Sequence, residues 1–186
     1  MTATPPTPNS VLARLDKLDE RVSAFLVIKP RPDGRPRRWL VFLRRFSEAG
    51  SYGIGWIVLF GVVGVLNDGI RRGLVAAMLV VLMLGFNTVV KRIIRRPRPI
   101  AKAIAHAPTT YSMPSAHTSM AMVGASTMAV IVPDQAWLWW SVAIGLAASR
   151  VLLGMHYLFD VLAGALLGIA CGLLVATPIV ESVGIG

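Results

Sequence analysis

Cysteine occurs once in the 186 residues, at position 171 inside an apolar run, so the chain forms no intramolecular disulfide and no cysteine metal cluster. Acidic residues number nine against 19 lysines and arginines, and charged residues are only 15% of the chain, where a soluble domain carries about a quarter. The first ten residues are polar and proline-rich; they lack the basic stretch leading into an apolar one that a cleavable signal peptide requires. A net charge of +10 raises nucleic acid as a partner. The basic residues, however, fall between hydrophobic runs and not along one face or tail, so nucleic acid is set aside and anionic lipid headgroups are the better match.

What the chain has in excess is apolar sequence: 55% of residues are hydrophobic and the mean hydropathy is +0.65. The apolar residues lie in five uninterrupted runs, roughly 50–67, 73–90, 115–132, 136–153 and 156–180. An 18-residue helix covers about 27 Å, close to the hydrocarbon thickness of a bilayer, so the runs predict an all-α integral-membrane helical bundle of about five spanning helices. Ahead of them Val11, Leu15, Leu18, Val22 and Phe25 recur at helical spacing among charged residues, with Ser10 placed to cap. That pattern, and the basic and aromatic segment Arg37 to Phe46 beyond a break at Pro30, Pro32, Gly34 and Pro36, predicts helices lying in the membrane interface. The organisation expected is a disordered tail over 1–10, an interfacial amphipathic segment over 11–49 and a membrane domain over 50–186. Trp137, Trp139 and Trp140 sit where an interfacial aromatic belt belongs. Gly164, Gly168 and Gly172 line one face of the last helix and predict close helix packing.

Antiparallel spans bring the end of the second run, the start of the third, the end of the fourth and the start of the fifth to one side of the membrane. Those four places hold Lys91, Arg92, Arg95, Arg96 and Arg98; Ser115, Ala116 and His117; Ser149 and Arg150; His156 and Asp160. Ionisable groups converging at membrane depth mark a site for a charged ligand. Lys91, Arg98 and Arg150 suit phosphate, with a Ser115 hydroxyl and the amides opening the third helix as further donors. His156 and Asp160, four apart on one helical face, form a nucleophile and its orienting carboxylate, and His117 can protonate a leaving alkoxide and later activate water. Arg92, Arg95 and Arg96 read as a flanking charge cluster, and His106, without a partner at useful spacing, as a solvated histidine.

Lys91 with Arg98-Pro99, then Pro114-Ser115-Ala116-His117, then Ser149-Arg150, His156 and Asp160, resemble the three-part signature of the type 2 phosphatidic acid phosphatase family, which in turn resembles vanadium-dependent haloperoxidases. The motifs occupy residues 91–160 in the family's order. The resemblance implies that Lys91, Arg98 and Arg150 bind phosphate, that Ser115 and the backbone near Ala116 assist, and that His117 is the acid, His156 the nucleophile and Asp160 its partner. It also implies no metal and no cofactor. Alanine at 116 departs from the family's usual glycine.

The function expected is that of a membrane phosphatase, hydrolysing a phosphomonoester or diphosphate on a polyprenyl or phospholipid through a phosphohistidine. The alternative is a non-catalytic lipid-phosphate binder or transporter, which would need the cations but not two histidines and Asp160. Of the 19 lysines and arginines, all but Arg71 and Arg72 fall on the pocket side, so the positive-inside rule puts the pocket in the cytoplasm of a bacterial-type plasma membrane. That face favours a polyprenyl-phosphoryl sugar phosphate as substrate.

Overall fold

The computed structural model describes residues 11–28, 38–50, 53–67, 69–99 and 111–183, and among these no strand occurs. The tail, the proline-rich break at 29–37, Lys102 and His106 lie outside the described residues. The described residues form eight α-helices, in order α1 Val11–Leu26, α2 Arg38–Ala49, α3 Ile54–Leu66, α4 Ile70–Ile94, α5 Ala116–Ile131, α6 Ala136–Leu152, α7 Leu158–Cys171 and α8 Thr177–Ser182. A π-helical turn, Gly172–Ala176, joins α7 to α8. Pro178 supplies its physical reason, since a proline ring cannot share the α-helical spacing with the carbonyl four residues back.

The protein is an all-helical integral-membrane bundle. Each of the five apolar runs forms a helix, but their lengths differ. By length and composition Ile70–Ile94 and the continuous Leu158–Ser182 can cross a membrane, and a third span arises if α2 and α3, bent by 69°, count as one. α5 is shorter because Pro114 precedes it and Pro133 follows it. α3 starts only after Gly53, whose φ of 75° is left-handed, and ends at Asn67.

α5 is the axis of the bundle. Residues Thr118 to Met128 are all buried, and the helix carries alanine, serine, glycine, threonine and methionine with no charge beyond His117, so it can be enclosed on every side. α7 lies against it through the glycine stripe: a Cβ on Gly164 would stand 2.6 Å from the Ser115 carbonyl oxygen, and one on Gly168 would collide with that of Ser119. Asn87 of α4 donates to Ser119 of α5 at 3.0 Å, a polar tie within the apolar interior. The outward faces carry Leu74, Met78, Leu82 and Phe86 on α4 and Leu162, Leu166 and Leu174 on the last helix, all exposed. Such an unbroken apolar exterior belongs in lipid. Trp139 differs from its expected place in the belt; it is buried and donates to the Val132 carbonyl at 3.3 Å, whereas Trp137 is exposed.

Candidate active site

α4 closes on Arg95, a left-handed residue at φ 54° whose Nε donates to the Arg92 carbonyl at 2.9 Å. This turn, unusual for a residue with a side chain, sends the chain back beneath α7 and delivers Arg96 and Arg98 to the interior. Lys91, one turn earlier, is buried and donates to the Tyr111 carbonyl at 2.9 Å.

Arg98 Nη1 donates to the Met155 carbonyl at 3.0 Å and stands 3.1 Å from His156 Nε2. A guanidinium can only donate, so Nε2 carries the lone pair and the ring proton of a neutral His156 sits on Nδ1. Nδ1 faces Asp160 Oδ2 at 3.5 Å, a charge contact longer than a hydrogen bond. His156 is in the connection between α6 and α7 and is almost wholly buried. Burial, together with the charges of Arg98, Arg150 and Lys91, outweighs the Asp160 contact and pushes its pKa down to about 3.

Arg150 lies in the last turn of α6, 2% exposed, and its Nη1 donates to Ser47 Oγ of α2 at 2.7 Å. Its Nε and Nη2 are buried with no protein acceptor, and orphaned guanidinium donors of this kind fit an anion. The α6 carbonyl of Arg150 in turn accepts from the amides of Met155 and His156 at 3.0 and 3.2 Å, fixing the loop that carries the histidine. His117 occupies the first turn of α5, within electrostatic reach of Arg150, Lys91, Arg98 and the His156 ring. Ser115 occupies the N-cap position of α5 without a side-chain capping bond; it is buried, its amide donates to the Asp160 carbonyl at 2.9 Å, and its Oγ accepts from Thr118 Oγ1 at 3.0 Å, leaving its own proton to donate. Ala116 has ordinary helical backbone, so glycine is not needed there for conformation.

Asp160, fully buried, is the most heavily engaged group. Its Oδ2 accepts from the Tyr157 amide at 2.9 Å, and its Oδ1 from Arg96 Nη1 at 2.8 Å and Ser112 Oγ at 3.3 Å. Arg96 is therefore no mere flanking charge. Its Nη2 meets Asp19 Oδ2 at 2.8 Å and Asp16 Oδ1 at 3.0 Å, and its guanidinium carbon lies 4.6 Å from the centre of the Tyr157 ring. Burial lowers the Arg96 pKa, but Asp160 and Asp19 outweigh it and raise it above the ordinary value. Sequence reasoning missed Arg96, Ser112 and Asp19. The only signal was a carboxylate among the polar positions of an amphipathic helix, and nothing local told which way it pointed.

A cleft of about 350 Å³ runs between α1, at Glu20, Ser23 and Val27, and the connection at Gly154, His156 and Tyr157. His156 is part of its lining. Among the described residues no three histidine, cysteine or acidic side chains are grouped to hold a metal ion.

Residues 72–181, which contain all these motif positions, match the model of the PAP2 superfamily. Decaprenylphosphoryl-5-phosphoribose phosphatase of Mycobacterium tuberculosis is 34% identical over 161 residues, covering 79% of this chain and 81% of that one. Undecaprenyl-diphosphatase of Sulfolobus acidocaldarius is 30% identical over 139 residues, covering 73% of this chain and 60% of that one. Among solved structures, a transmembrane PAP2 type phosphatidylglycerolphosphate phosphatase from Bacillus subtilis superposes with a TM-score of 0.73 at 23% identity, over 94% of this chain and 89% of that one. That likeness concerns the fold.

Proposed function

From the premise that this chain belongs to the PAP2 superfamily and is a lipid phosphatase, we propose that it cleaves the phosphomonoester of a polyprenyl-phosphoryl sugar phosphate through a phosphohistidine on His156. The observation that supports the mechanism is the orientation of His156: Nε2, the lone-pair nitrogen, faces the Arg98 guanidinium, and the protonated Nδ1 faces Asp160. Nε2 attacks phosphorus as the bond to the ester oxygen breaks, and His117 gives its proton to the departing alkoxide. Asp160 stabilises the positive charge the imidazole gains, while Lys91, Arg98 and Arg150 hold the equatorial oxygens. Water, losing its proton to His117, then attacks phosphorus, the P–N bond breaks, and inorganic phosphate leaves with His156 restored.

The substrate class is supported by the 34% identical relative, most of whose length this chain covers, over the diphosphatase, of which it covers 60%. We place the pocket on the cytoplasmic face of the plasma membrane, supported by the distribution of lysine and arginine and by the Asp19–Arg96 contact, which puts α1 at the pocket's end of the bundle. The test is phosphate release by purified protein in detergent from a panel of a polyprenyl-phosphoryl pentose phosphate, a polyprenyl diphosphate, phosphatidylglycerophosphate and phosphatidate. The first should have the highest kcat/KM, in chelator as without it, and vanadate should inhibit as a mimic of the five-coordinate transition state. Preference for another lipid removes the substrate assignment, and loss of activity in chelator, restored by one divalent ion, removes the metal-free mechanism.

A further inference from the structure

α1 holds a carboxylate where an interfacial helix has no need of one. Asp19 is 1% exposed, and a buried carboxylate is costly unless fully matched. It is matched from two directions. Arg96 Nη2 lies 2.8 Å from Oδ2, while Oδ1 accepts from the Phe159 amide at 3.1 Å and from Ser23 Oγ at 3.2 Å. Ser23 Oγ in turn accepts from the Leu158 amide at 2.8 Å.

The amides of Leu158 and Phe159 open α7 and have no acceptor within their own helix. α1 therefore caps α7 from outside. With the Tyr157 amide held by Asp160, three consecutive amides leading away from His156 are each fixed by a side chain, two of them from α1. The Arg96 fork completes the link: Nη1 donates to Asp160, and Nη2 ion-pairs with Asp19 Oδ2 at 2.8 Å while donating its hydrogen bond to Asp16 Oδ1 at 3.0 Å. Alone against Asp160, Arg96 would cancel the negative charge that His156 needs behind it as it becomes cationic. The second buried carboxylate restores a net negative charge to the group.

We propose that Asp19, acting through Arg96, is a positioning residue that keeps Asp160 oriented and charged against His156, making the N-terminal helix part of the catalytic apparatus. This rests on the reading of His156 as nucleophile and Asp160 as its partner. Asp16 provides an internal contrast, because it meets the same Arg96 nitrogen but its side chain is 57% exposed, where water screens it.

The experiment uses the full chain in detergent with the lipid phosphate that the wild type cleaves best. Asp19→Asn and Arg96→Gln are each expected to lower kcat by about 10- to 100-fold, as loss of an orienting outer partner does, with KM and the inhibition constant of inorganic phosphate within about twofold of wild type. The double variant should lose no more than about the larger single loss, since both changes break one linkage. Asp19→Glu should recover part of the activity, and Asp16→Asn, whose contact with Arg96 is screened by water, should lower kcat by less than Asp19→Asn does. Near-normal kcat in Asp19→Asn overturns the proposal. So does a fall in phosphate affinity and thermal midpoint in step with kcat, which would mark Asp19 as a structural anchor, or multiplicative losses in the double variant. His156→Asn separates the two levels: if it retains turnover the nucleophile reading fails, whereas an inactive His156→Asn beside a normal Asp19→Asn defeats the positioning role alone.

Discussion

His156 stands between a donor that never accepts and a carboxylate that never donates at neutral pH, and these neighbours dictate where its single ring proton resides. The consequence can be observed directly, because the chain has only three histidines. In a protein carrying His106→Gln and His117→Asn, imidazole nitrogen NMR should report one neutral tautomer, protonated at Nδ1, from pH 8 down to pH 5. The sign follows from the pKa near 3: the unfolded histidine takes up its proton near 6.5 and the folded one does not, so stability falls as pH drops through that interval. An imidazolium at pH 6 would contradict the burial argument. His156→Asn and His117→Asn should each remove at least about 99% of phosphate release while the thermal midpoint and phosphate binding persist, and near-normal turnover in either would unseat its assigned role. The residues that meet in the pocket were legible in sequence because each stands beside a helix end that antiparallel spans bring together. Arg96 was not, since its partners lie 64 residues ahead at Asp160 and far back at Asp19, and a run of arginines offers no local reason to favour one.

Among the helices, α5 and α7 approach as closely as their backbones allow, and the glycine stripe read from sequence as a packing surface is where they meet. Two alanine substitutions should separate packing from propensity. Gly168→Ala pushes a methyl into the Ser119 carbonyl and should cost about 1–3 kcal/mol, seen as a lower thermal midpoint in detergent. Gly85→Ala, on the exposed face of α4 with nothing within 4 Å, should be neutral or raise the midpoint, since alanine favours helix by about 0.5–1 kcal/mol. Equal effects would mean the α5–α7 contact is not tight. Helix existence was legible from apolar runs, but helix length was not. Hydrophobicity continues past Gly53 and Pro133, where backbone chemistry stops the helix, and so the count of runs overstates the helices long enough to cross alone. The inward side of α1 was equally hidden, because a buried Asp19 and an exposed Asp16 are the same letter.

Over the whole molecule, the proposed cytoplasmic placement of the pocket rests on where the basic residues fall. Arg71 and Arg72 open α4 and Lys91 lies near its other end, so the two basic groups are separated by about 30 Å, the thickness of the hydrocarbon. In intact cells, with Cys171→Ala as background, a single cysteine at His106→Cys should be protected from an impermeant thiol reagent and one at Ile185→Cys should be labelled; the reverse pattern would place the pocket outside. On the proposed assignment of the site, the same span of α4 bears on how substrate is met. A catalytic group held at headgroup depth encounters lipid by lateral diffusion within a two-dimensional solvent, so the quantity governing its rate is the mole fraction of substrate in the bilayer or micelle. Diluting a fixed amount of lipid substrate with inert detergent should slow the enzyme although the bulk concentration is unchanged, and adding volume at a fixed lipid-to-detergent ratio should leave turnover per enzyme the same.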